Sequence, residues 1–162
     1  MAIDNYQLSR VLIIGIGNTL RRDDGAGCFF AEALAAELAR AGVDVTLELH
    51  HQLTPELAED VAELAPHKII FVDASVAVQS PVLTPLAPDM GANAASHSLT
   101  PAALLAILRQ LYAVDLAGWL VQTPAVDFGH GEGLSVVAQR GVDDAPGMAA
   151  RLIAVVGTRH GV

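Results

Sequence analysis

The sequence predicts one α/β domain with a mostly parallel sheet of about five strands, and three observations carry that expectation. Short apolar, β-branched runs alternate with segments of helical periodicity, the order that gives parallel strands joined by crossover helices. The first run, Val11-Leu12-Ile13-Ile14-Gly15-Ile16, is apolar throughout, as befits a strand buried on both faces. The chain has 162 residues, 52% hydrophobic and 17% charged, which suits a single core spanning 1–162 and excludes a disordered chain.

The first strand, residues 11–16, ends at Gly17-Asn18. From 25 to 40, Cys28, Phe29, Ala31, Ala33, Leu34, Ala36 and Leu38 fall near helical spacing, and Gly42 supplies a stop. Residues 43–49 alternate as a second strand. Thr54-Pro55-Glu56-Leu57 offers an N-cap with proline at the first helical position, so 56–64 reads as a short helix. Ile69-Ile70-Phe71-Val72 forms the third strand. Three prolines between 79 and 88 restrict any strand around Val82-Leu83 to a brief one or to a sheet edge. Ser98 or Thr100 can cap a helix from 101 to about 112, and Trp119-Leu120-Val121 returns to the sheet. A glycine-rich loop at 129–133 precedes a last helix from about 143 to 156.

Composition removes several function classes. The formal charge is −9, and Lys68 is the one lysine beside eight arginines, a poor inventory for tracking phosphates; nucleic acid is not an expected partner. Residues 1–10 lack the cationic start and apolar run of a secretory signal, and the apolar runs fall short of about 18–20 residues, so a cytoplasmic protein with no membrane partner is expected. A single cysteine, Cys28, rules out an internal disulfide and a one-chain thiolate zinc cluster. Any metal must be held by oxygen and nitrogen.

In open α/β sheets the reactive crevice lies beyond the carboxyl ends of the strands. The first strand leads there into Gly15-Ile16-Gly17-Asn18-Thr19-Leu20-Arg21-Arg22-Asp23-Asp24-Gly25-Ala26-Gly27, the second into His50-His51-Gln52, the third into Asp73-Ala74-Ser75. Gly15-x-Gly17 hints at a dinucleotide fingerprint, but Leu20 takes the third glycine's place and Asp23 and Asp24 repel a phosphate at the helix start. Each remaining candidate also has a plain structural explanation. Asp73 can accept loop N–H groups, one of Asp23 and Asp24 can cap the following helix, and His97, at a helix start, can bond backbone. Together, two acids and a histidine on three crevice loops make a minimal oxygen-and-nitrogen set for a borderline divalent ion with positions left open. Without metal, a carboxylate could instead serve as general base on water in amide hydrolysis.

The string Gly15 to Gly27 closely resembles the N-terminal signature of the hydrogenase maturation endopeptidases, which process the large subunit of nickel–iron hydrogenases. The likeness continues through His51-Gln52-Leu53-Thr54-Pro55-Glu56-Leu57, Asp73-Ala74 and Ser96-His97-Ser98-Leu99, and more loosely through Gly131-Glu132-Gly133-Leu134-Ser135, in the family's order over most of the chain. The resemblance implies a twisted, mostly parallel sheet in a three-layer α/β/α sandwich. It implies removal of a C-terminal extension from the large-subunit precursor once nickel is in place, the nickel being supplied by the substrate, with no organic cofactor.

The family's metal-contacting residues map onto Asp24, where many members have Glu, onto Asp73 and onto His97; the shorter carboxylate at 24 retracts that ligand by about one methylene. Nickel could mark the scissile peptide, polarise its carbonyl or activate water. As a mere marker it would leave the base role to Asp24 or Asp73, an aspartic-type peptidase, because Cys28 falls within a helix and no serine–histidine pair is evident. Asn18, His51 and Gln52 are candidates for substrate contact, Asn18 also for orienting the Asp24 loop through its amide. Gly15, Gly17, Gly25 and Gly27 are best explained by backbone geometry. His50 and His130 face the same crevice in principle, and His67 and His160 are expected in solvent. The competing functions are a noncatalytic assembly factor that docks on the same precursor and, more remotely, a nucleotide-dependent enzyme.

Overall fold

Strand β1 (Arg10–Ile16) lies inside a five-stranded sheet, paired in parallel with β2 (Asp44–His50) on one side and β3 (Lys68–Ser75) on the other. Strand β5 (Ala117–Pro124) adds in parallel to β3, and the short β4 (Val82–Leu86), with Pro85, closes that edge antiparallel to β5, giving the order β2-β1-β3-β5-β4. The computed structural model describes residues 9–91 and 98–156. His97 and His160 lie outside the described residues.

Period-two alternation sends neighbouring side chains to opposite faces, and both faces are covered. Val11, Ile13, Ile70 and Val72 pack against Phe30, Leu34 and Leu38 of α1 (Ala26–Arg40) and Met148 and Leu152 of α5 (Ala145–Val156). Leu12, Ile14, Ile69 and Phe71 pack against Leu57 and Val61 of α2 (Leu57–Leu64) and Leu104 and Leu108 of α3 (Pro101–Tyr112). Each such buried Leu, Ile, Val or Phe contributes about 1.5–3 kcal/mol, which explains why the central strands are uniformly apolar. The architecture is the expected three-layer α/β/α sandwich.

Most elements fall where the sequence puts them. Thr100 caps α3 by accepting the Ala103 amide at 3.1 Å, with Pro101 at the first turn. Gly42, with φ +87°, follows the end of α1. The second helix is a correction: it starts at Leu57, and Thr54 contributes its carbonyl to the Leu57 amide at 3.2 Å while its side chain bonds Glu56, so no Thr54 cap forms. The larger correction is α4 (Val136–Asp143), which precedes α5 where the sequence suggests loop. Two β-branched residues in its first turn and Gly141 inside it weigh against a helix locally. Tertiary packing overrides them: Ser135 caps α4, and a Cβ at Gly141 would sit 2.7 Å from Thr123 Oγ1 and 2.8 Å from Pro124 Cδ. His67 is also corrected, for its Nδ1 accepts the Arg10 amide at 2.9 Å at the end of the sheet opposite the crevice.

Candidate active site

After β1 the chain crosses to β2 on one side, and after β2 it returns past β1 to β3 on the other. Right-handed crossovers then put α1 and α2 on opposite faces, and the loops beyond β1 and β3 diverge to leave a crevice. Asp24 lies on the loop leaving β1, in a short 3-10 turn (Arg22–Gly25), and Asp73 lies near the end of β3. Both carboxylates are half-buried.

Two glycines allow close backbone approach around these acids. A Cβ at Gly27, in the first turn of α1, would lie 2.5 Å from the Ile16 carbonyl oxygen, 2.9 Å from that of Val72 and 3.0 Å from Asp73 Cα. Helix α1 is therefore pressed against the ends of β1 and β3, and its start sits beside Asp73. Gly17 has φ +142°, and a Cβ there would overlap the Asp24 carbonyl oxygen. That contact folds the loop back so that Asp24 Oδ2 accepts the Asn18 amide at 2.8 Å. The Asn18 side chain itself turns away to accept the Leu20 amide at 2.9 Å, so Asn18 holds Asp24 through its backbone and not, as the sequence suggested, through its side-chain amide.

Asp73 feels the Asp24 charge. Burial, with the Asp24 charge adding to it and a hydrogen bond from the Ala74 amide opposing it, pushes the Asp73 carboxyl up to about 6. Burial, then the charges of Glu32, Asp24 and Asp73, push the Cys28 thiol up to about 11, and its Sγ donates to the Gly17 carbonyl at 3.6 Å. A buried, protonated thiol amid carboxylates is no nucleophile. A carboxyl raised by burial and by a neighbouring carboxylate charge is relieved by a proton or by a divalent cation.

His51 and Gln52 are exposed on the same rim, directly after β2, where the Gly17 amide donates to the His50 carbonyl at 2.9 Å. The His50 ring lies 3.1 Å from Glu48 along β2. His130 is exposed on the 129–133 loop. Among the described residues no group of three His, Cys, Asp or Glu side chains could hold a metal ion, and the third expected ligand, His97, lies outside them.

Sequence reasoning missed what Asp23 does. An acid capping α1 was expected, yet α1 begins at Ala26 behind Gly25 as N-cap, with no side-chain cap bond and no acid in its first turn. The Asp23 side chain instead turns inward, fully buried, toward a segment more than a hundred residues away. Its Oδ2 accepts the Val126 amide at 2.9 Å, the Asp127 amide at 3.0 Å and the Ser135 hydroxyl at 2.7 Å; its Oδ1 accepts the Ser135 amide at 2.8 Å. Burial alone would raise this carboxyl, but those bonds from Val126, Ser135 and Asp127 outweigh it and hold the pKa below the ordinary value. The signal available in the sequence was only that two adjacent acids rarely share one job.

Exposed apolar side chains follow three of the strands: Leu20 after β1, Val76 after β3 and Val126 after β5 are 60%, 73% and 62% exposed. Among the described residues no helix is long and apolar enough to cross a membrane.

No protein-family model matches the chain, and no curated protein matches it. Solved structures do. The NiFe hydrogenase maturation protease HycI from Thermococcus kodakarensis KOD1 is 24% identical over 94% of this chain and 95% of its own, with a TM-score of 0.64. The hydrogenase maturating endopeptidase HybD from E. coli is 20% identical over 91% and 94%, also with a TM-score of 0.64. The NiFe hydrogenase maturation protease HybD from Thermococcus kodakarensis is 23% identical over 88% and 98%, with a TM-score of 0.57. This chain has the fold of those proteins along nearly its whole length.

Proposed function

We propose that this chain is a hydrogenase maturation endopeptidase, removing the C-terminal extension from the nickel-loaded large-subunit precursor of a nickel–iron hydrogenase. The observation that carries the reading is a fold shared along nearly the whole chain with named maturation proteases, in which Asp24 follows β1, Asp73 lies near the end of β3, and the Asp24 charge helps raise the Asp73 carboxyl. The sequence signature from Gly15 to Gly27 supports it independently of the fold.

In this reading the substrate brings its own nickel to the crevice. Asp24 and Asp73 supply two carboxylate ligands and His97 a neutral nitrogen, a set borderline enough to accept nickel and incomplete enough to need the precursor's own ligands. Nickel held there would mark the scissile segment, and could also polarise its carbonyl or activate water. Where nickel serves only as a mark, the base role falls to Asp24 or Asp73; burial raises the metal-free Asp73 carboxyl to about 6, nearer neutral pH than an ordinary aspartate. Asn18 keeps Asp24 turned into the crevice, and His51 and Gln52 line the rim over which a peptide would enter. The apolar Leu20, Val76 and Val126 suit a protein substrate, which would cover them on docking.

The test is mass spectrometry of the large subunit's C-terminus after incubation with and without this protein, on nickel-loaded and nickel-free precursor. Loss of the extension from the loaded form alone is expected. Equal processing of both forms refutes nickel recognition, and no processing by a folded sample refutes the peptidase in favour of a docking factor. Asp24→Asn and Asp73→Asn divide those roles: processing lost with precursor binding retained marks catalysis, and binding lost with turnover per complex unchanged marks docking.

A further inference from the structure

Asp23 stands beside the proposed chemistry without touching it. Its carboxylate is 0% exposed and all its partners lie in the 126–135 segment, so it reaches neither substrate nor solvent. The same segment grips the turn that carries Asp24 from three further points: the Asp23 amide donates to the Asp127 carbonyl at 2.9 Å, the Arg22 amide to the Gly131 carbonyl at 2.9 Å, and the Gly131 amide to the Leu20 carbonyl at 2.8 Å. Between those anchors Arg22 sits at φ +44°, a left-handed conformation that a side-chain-bearing residue holds only when its surroundings impose it. Without the anchors, relaxation of Arg22 would turn the next two residues, and Asp24 is one of them.

We propose that Asp23 is a positioning residue for the peptidase: by tying the Arg22–Gly25 turn to the 126–135 loop it fixes the direction of the Asp24 carboxylate. The proposal rests on the reading of the chain as a maturation endopeptidase, and it adds a function for a side chain that reading leaves unused. It also gives the loop and α4 a place in the site, since Ser135 both donates to Asp23 and caps α4. A purely structural latch would hold α4 down and leave Asp24 indifferent.

Asp23→Asn separates the two. An amide nitrogen in place of either carboxylate oxygen faces at least one backbone N–H, so the clamp loosens with almost no change in side-chain volume. The Asn18 amide, which donates to Asp24, reports the carboxylate's direction without any turnover. The expected result is a displaced Asn18 amide resonance with faster hydrogen exchange, kcat for processing lower by about 10²-fold and KM within about twofold of wild type. Leu38→Ala, at the far end of α1, is the control for lost stability and should leave the Asn18 resonance and kcat unchanged. An unmoved Asn18 amide, or an unchanged kcat in folded Asp23→Asn, overturns the proposal. Should Asp23→Asn fail to fold, Ser135→Ala, which removes one of the four bonds, decides in the same way, with a smaller displacement and a several-fold loss of kcat expected. If the wild-type protein leaves the precursor intact, the function fails, and the Asn18 resonance still decides whether Asp23 sets the direction of Asp24.

Discussion

Asp73→Asn should make the protein more stable at neutral pH while ending its activity. The carboxyl is raised from an ordinary 3.8 to about 6, first by burial and then by the Asp24 charge, so the fold favours its protonated form. Its contribution to stability is fully present below the unfolded value near 3.9 and is lost as pH rises through about 6. At about 1.4 kcal/mol per pH unit, charging this group in the folded state costs at most roughly 3 kcal/mol above pH 7. Partial exposure and salt reduce that to about 1–2 kcal/mol. Asparagine removes the charge and keeps an acceptor for the Ala74 amide, so the variant should melt roughly 2–8 °C higher at pH 7.5 and match wild type at pH 4. Calorimetric unfolding at pH 4, 6 and 7.5, run beside the processing assay, measures both effects. A variant less stable than wild type at pH 7.5, or a stability difference that does not change with pH, would show that burial and the neighbouring charge do not act on Asp73 as described.

Asp23→Ala should cost about 3 kcal/mol or more in urea unfolding, because buried donors from Val126, Asp127 and Ser135 lose their acceptor. Since the folded Asp23 pKa is lowered, its stabilisation is present above the ordinary carboxylate value and lost as pH falls below it, so the wild-type advantage should shrink between pH 4 and pH 2. Gly27→Ala should abolish soluble expression or lower the melting temperature sharply, as its Cβ would meet backbone of β1 and β3 that cannot yield; a variant within 2 °C of wild type would contradict the close approach. Cys28→Ala should keep processing activity, and the native thiol should resist alkylation at pH 8 compared with the urea-unfolded chain, given a thiol held up to about 11.

Much of the fold was legible because it rests on local chemistry. The uniformly apolar β1 and β3 declare two covered faces, Gly42 and Pro101 mark helix ends, and the prolines around Val82 forecast an edge strand, which β4 is. Where propensity and packing disagree, the sequence misleads. Gly141 reads as a helix breaker and is in fact the contact that lets α4 lie against β5. The positions of Asp24 after β1 and Asp73 near the end of β3 could be expected because the crevice of an α/β sheet follows from strand direction alone.

The sequence by itself determined the α/β class, the strand ends that carry the acids and the residue types available there, since these depend on periodicity, the succession of elements along the chain and composition. Only the tertiary structure decided that Asp24 is held by the Asn18 backbone, that Asp73 is buried beside it, and that the neighbouring Asp23 serves a loop more than a hundred residues away. Two adjacent aspartates are chemically identical in one dimension. Their surroundings diverge because a 3-10 turn points successive side chains in different directions, one to the Asn18 amide and one into the donors of the 126–135 segment.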